Sequence, residues 1–183
     1  MTRTRSLISA TIFGAFVLSA LPLVAQQLGE AKHGFIAPAS EKNGAVKLHY
    51  VTLGKGPLLV MVHGFPDYWY TWRKQMPALA EHFQVVAYDQ RGYNESAQPE
   101  GVENYTVDKL VADLDAVIGL KNLAGVFLPK IEHRDEVLRW DAMIGKLESQ
   151  RGVAANATKL VLSIESALGV LNSYDMAISA QRV

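Results

Sequence analysis

Four short apolar runs, Leu58–Val62, Gln84–Tyr88, Ala124–Leu128 and Lys159–Ile164, are separated by stretches whose apolar residues recur at helical spacing. A run of this length without strict alternation suits a strand buried on both faces, as parallel strands are beneath flanking helices. Thr106 is placed to cap a helix in which Val107, Leu110, Val111, Leu114, Val117 and Ile118 form one stripe. Asp135–Ser149 carries Val137, Trp140, Ile144 and Leu147 on one face, and Ser173–Arg182 suits a last helix. An earlier helix is expected where Trp72, Met76, Leu79, Ala80 and Phe83 share a face. Val46–Leu53 alternates as a strand and stops at the Gly54-Lys55-Gly56-Pro57 turn, while residues 26–45 show no periodicity and read as a leader. Strands alternating with helices predict an α/β fold, an open and mainly parallel sheet with flanking helices.

Charge and composition narrow the partners. The 18 basic and 18 acidic residues balance, so nothing electrostatic points to nucleic acid. The chain has no cysteine, which excludes disulfides, thiolate catalysis and cysteine zinc sites. Arg3 and Arg5 precede the apolar stretch Leu7–Val24, with Ala25 at its end. That order predicts a signal peptide over residues 1–25 and export to the periplasm or beyond. A membrane enters this reading only through an uncleaved signal segment.

His63-Gly64-Phe65-Pro66-Asp67-Tyr68-Trp69-Tyr70-Thr71-Trp72-Arg73 follows the first buried strand directly. Gly64 lets backbone come close to a ligand, Pro66 fixes the turn and is compatible with a cis bond, and the Phe65 N–H can serve as an oxyanion donor. Asp89-Gln90-Arg91-Gly92-Tyr93-Asn94-Glu95-Ser96 follows the second buried strand as a polar turn. Together these segments, over about residues 46–118, resemble the α/β-hydrolases of the epoxide-hydrolase type. Phe65 favours that branch over haloalkane dehalogenases, and Asn94 stands where the family usually has Gly. The resemblance implies an α/β-hydrolase fold, a small-molecule substrate and hydrolysis without a cofactor. It also implies an Asp nucleophile on a sharp turn, a His–acid pair that activates water, and cap tyrosines that protonate the epoxide oxygen. At the expected elbow this chain has Leu128-Pro129-Lys130-Ile131-Glu132, so the nucleophile, the cap and the late His are expected to be missing. His63, Gly64 and Pro66 are read as supporting the loop, and Asp89 and Arg91 as bracing the turn. Trp69 and Trp72 are expected to pack. His33, His49, His82 and His133 read as surface or loop histidines.

A second pattern begins near Leu123. Leu123-Ala124-Gly125-Val126-Phe127-Leu128-Pro129-Lys130-Ile131-Glu132 and Leu160-Val161-Leu162-Ser163-Ile164-Glu165-Ser166-Ala167 resemble the HpcH/HpaI aldolase and citrate lyase β-subunit family. That resemblance implies a magnesium-dependent C–C lyase acting on CoA thioesters or 2-keto acids, and it puts Glu165 at the position of one metal ligand. The family's barrel needs about 250 residues, so this stretch supplies two strand–helix units of eight. The partner carboxylate has no counterpart here, and a salt-bridged or solvated Glu165 is the competing expectation.

The chain therefore reads as a hydrolase-like segment over 46–120 joined near Gly119–Ala124 to an aldolase-like segment over 121–183. As written it is expected to be catalytically incompetent. The alternatives are a lyase fragment that uses magnesium and a non-catalytic fusion product.

Overall fold

The computed structural model describes residues 28–39, 46–119 and 123–183. The signal-peptide expectation and positions 120–122 of the join lie outside them. Six strands form one sheet: β1 (Lys32–Ile36), β2 (Leu48–Leu53), β3 (Leu58–Val62), β4 (Gln84–Tyr88), β5 (Leu123–Leu128) and β6 (Lys159–Leu162). Their order is β1-β2-β4-β3-β5-β6. From β4 to β6 the pairing is parallel, with Val60 aligned to both Val86 and Val126; β1 and β2 add an antiparallel edge. The expected open, mainly parallel sheet is what forms. The stretch read as a leader contributes β1. Only five residues long, bearing Gly34 and exposed at Lys32, His33 and Phe35, this edge strand lacks the hydrophobic period that announces a buried one.

The helices are α1 (Gln75–Leu79), α2 (Val107–Ile118), α3 (Arg134–Gln150) and α4 (Ala167–Ala177), with 3₁₀ turns at Trp69–Trp72 and Val102–Tyr105. Strand alternation divides the core in two. Leu58, Val60, Val62, Val86, Tyr88, Val126 and Leu128 pack with Leu114, Val117 and Ile118 of α2 and Val137, Ile144 and Leu147 of α3. Met61, Val85 and Ala87 point the other way, against Trp69, Trp72 and Met76. Both tryptophans are packing residues, as expected. Fully burying a side chain such as Val60 or Met61 contributes about 1.5–3 kcal/mol, so this two-sided centre anchors the sheet.

Two helices differ from the sequence expectation. The expected helix through Trp72 and Phe83 is a 3₁₀ turn followed by one short α-turn ending at Leu79. The last helix begins at Ala167, where the Ser166 hydroxyl accepts the Gly169 N–H at 3.0 Å, and it ends at Ala177. Ser166 is an ordinary N-cap, and the expected start at Ser173 overlooked it. Arg182 leaves the helix to serve the core. Its guanidinium donates to Glu148 at 3.0 and 3.2 Å and to Asp141, and its carbonyl accepts the Leu160 N–H at 2.8 Å. Burial works to raise the Glu148 carboxyl, but Arg182 and the N–H groups of Thr158 and Asn156 outweigh it and hold the group below its ordinary value. His133, expected at the surface, is exposed and sits at the N-cap of α3, where Glu136 accepts the His133 N–H at 2.9 Å.

The chain leaves β3 for β4 on one side of the sheet, then returns to β5 on the other. That reversal opens a crevice at the C-terminal ends of β3 and β5, where ligands bind in open α/β sheets.

Candidate active site at the strand ends

His63 leaves β3 buried, and its ring nitrogens fix its state. A carbonyl can only accept, so Nδ1–H donates to Gly64 O at 3.0 Å; Nε2 accepts the Gln90 N–H at 3.0 Å. Burial lowers its pKa, outweighing the Gly64 carbonyl and the charges of Asp89 and Asp67, so the neutral ring is favoured. The Gln90 amide returns to His63 O at 2.6 Å. His63 is a brace between two loops, and neither nitrogen is available as a base.

The loop continues through a cis bond between Phe65 and Pro66, and the Phe65 side chain is exposed. Asp89 is fully buried and collects three donors: Trp69 N–H at 2.8 Å, Asn94 Nδ2 at 2.8 Å and His49 Nδ1 at 2.7 Å. Arg91, also buried, makes a two-pronged pair with Asp113 at 2.6 and 2.5 Å and donates to Asn104 O at 2.8 Å. Both residues brace the turn as expected. Asn94, standing in place of the usual Gly, keeps a left-handed φ of 43°, which Asn tolerates better than most residues.

His49 departs from its reading as a surface or loop histidine. It lies on β2 at 0% exposure, and the partner that buries it is the carboxylate of Asp89, 40 residues away. Leu48 and His49 are buried side by side, so strand alternation gave no signal for it.

The turn after β5 holds the residue that sequence reasoning passed over. Lys130 adopts φ 54°, a left-handed conformation, in the turn between β5 and α3. Its aliphatic stem lies over Gly64, so that a Cβ on Gly64 would meet Lys130 Cε at 3.1 Å. Its ammonium donates to the Phe65 carbonyl. A lysine at a strand end looked like an ordinary surface charge. Only its backbone angle and its neighbour across the cleft mark it.

Lys130 also lines a polar cavity of about 260 Å³ together with Gly64, Asp67, Trp72 and, from the turn after β6, Glu165. The two sequence patterns thus meet in one cleft. Among the described residues the buried Trp72 indole N–H has no partner, leaving a donor beside the cavity. Glu165 is exposed, and among the described residues no group of three metal-capable side chains includes it. Asp67 and Glu165 are the carboxylates on the cavity wall, and the Lys130 ammonium shares that wall with them.

Comparison with known proteins finds both families, with matches that overlap over residues 93–126. Residues 57–126 match the family model of the α/β-hydrolase fold. They resemble the α/β-hydrolases of the epoxide-hydrolase type. Residues 93–183 match the model of the HpcH/HpaI aldolase/citrate lyase family. Epoxide hydrolase 1 of Caenorhabditis elegans is 47% identical over 75 residues, 40% of this chain and 19% of that protein. Bifunctional epoxide hydrolase 2 of Sus scrofa is 35% identical over 146 residues, 79% of this chain and 25% of that protein. An epoxide hydrolase from an endophytic Streptomyces superposes with a TM-score of 0.53 at 31% identity, covering 71% of this chain and 36% of that one. The chain spans about a fifth to a quarter of the curated relatives it matches. A match of 146 residues cannot end at residue 118, so the hydrolase likeness runs beyond the segment that carries its motifs.

Proposed function

We propose that this chain is an exported epoxide-hydrolase-like protein whose cleft binds a small neutral molecule and does not turn it over. Lys130 carries this reading. It occupies the elbow, covers Gly64 and engages the Phe65 carbonyl, where the related enzymes place the attacking carboxylate. An ammonium with its hydrogen bond made is a poor nucleophile, and His63 has both nitrogens committed. The Trp72 N–H is a donor suited to an epoxide or carbonyl oxygen, and the resemblance assigns the same role to the Phe65 N–H. The basic and apolar order of residues 1–25 supports export. The overlap of the two family matches over residues 93–126 supports a join in which α2 and β5 serve both patterns.

Incubation with styrene oxide and with a p-nitrophenyl ester tests this reading. Product formation is expected to equal that of a heat-denatured control. Turnover above that control, lost in Pro66→Ala, would show that a working active site had been missed.

A further inference from the structure

On the opposite side of Asp89 from the cleft, three side chains converge on one point. His33 of β1 and His49 of β2 are diagonal neighbours across an antiparallel pair, since His33 faces Val51 and Phe35 faces His49. His33 Nδ1 lies 2.9 Å from His49 Nε2. Glu95, from the turn after β4, brings Oε2 to 3.9 Å from the same nitrogen. The three candidate ligand atoms all lie within 4.8 Å of one another.

The fourth participant is Asp89. Its Oδ2 accepts the His49 Nδ1–H at 2.7 Å, which fixes the tautomer and turns the Nε2 lone pair outward, toward His33 and Glu95. Metal-binding histidines almost always donate the other ring N–H to a carboxylate, a backbone carbonyl or water, and here the acceptor is a carboxylate. Asp89 is in turn held by Trp69 N–H and Asn94 Nδ2, so the central ligand is rigid. His33 and Glu95 are exposed side chains on an edge strand and a turn, and both can adjust. Ligand atoms bound tetrahedrally at about 2.0–2.2 Å stand roughly 3.3–3.5 Å apart, between the separations found here.

We propose that His33, His49 and Glu95 form a site for a divalent transition metal ion of the zinc class, with Asp89 as the outer carboxylate. Two imidazoles and one carboxylate leave the fourth position to water, and two nitrogen ligands favour zinc over magnesium or calcium. The ion ties edge strand β1 to the turn that follows β4. Binding it releases the proton that otherwise joins His33 to His49.

Tag-free protein stripped with chelator and titrated with Zn²⁺ in a calorimeter tests this, with Co²⁺ absorption reporting the coordination geometry. One Zn²⁺ per chain is expected, with a four-coordinate Co²⁺ spectrum, and with affinity weakened at least about tenfold in both His33→Ala and Glu95→Gln. Both substitutions fall on exposed side chains, so circular dichroism should show the fold retained. Absence of binding to the unaltered chain, or unchanged affinity in both variants, would overturn the proposal and leave a hydrogen bond between two rings.

Discussion

The Lys130 ammonium donates to the Phe65 carbonyl and joins the turn after β5 to the loop after β3 across the mouth of the cleft. Sixty-five positions separate the two residues, yet the order of the central strands brings them together. Because Lys130 holds a φ of 54°, the backbone of this turn constrains what can stand there. A β-branched side chain pays most in the left-handed region and Gly pays nothing. Lys130→Val should therefore unfold at lower urea than Lys130→Gly, a difference of about 1–2 kcal/mol. Equal midpoints would mean that the turn relaxes out of that conformation.

The Arg91–Asp113 pair should be costly to break from one side. Both side chains are buried, and the guanidinium meets the carboxylate with two hydrogen bonds. Asp113→Ala leaves a desolvated cation without its main partner, for which about 3–5 kcal/mol is expected. Urea denaturation reads this directly, and a loss under 1 kcal/mol would indicate that water or another acceptor takes over.

His63 sets a pH dependence. Its folded pKa lies below the ordinary 6.5 because burial disfavours the charged ring. The unfolded chain therefore takes up a proton before the folded one does. The contribution of the neutral ring is complete above pH 6.5 and is lost as the pH falls through that value toward the folded pKa. Denaturation midpoints should drop between neutral and mildly acidic pH, and His63→Gln should flatten that slope. A slope unchanged in the variant would assign the effect to other groups.

Much of this was legible because it rests on periodicity and local chemistry. Val60, Val86 and Val126 sit in unbroken apolar runs, and a buried parallel strand has few other ways to look. The Phe65–Pro66 turn and the bracing by Asp89 follow from residue types at short range. What escaped was non-local or marginal. β1 gains its place from pairing with β2, where Phe35 meets His49, and its own side chains give no pattern. His49 is buried by Asp89, which no spacing rule connects to it. Lys130 is distinguished by a backbone angle that Lys seldom adopts, and Glu165 by a cavity assembled from both halves of the chain. The last helix stops at Ala177, short of the expected Arg182, which pairs with Glu148 instead.

The most direct test replaces Lys130, the residue proposed to stand at the elbow. In Lys130→Asp, the new carboxylate oxygen should attack a carbon of styrene oxide, breaking the ring C–O bond while the oxygen released takes a proton from water. No histidine lines the cavity among the described residues, and His63 is committed elsewhere, so the ester should persist. Peptide mass spectrometry is expected to find one epoxide equivalent at position 130 of the variant, with no turnover by either protein. Diol formation by the unaltered chain, or a variant that gains no adduct at position 130, would contradict the assignment of that turn as the elbow of an inactive hydrolase cleft.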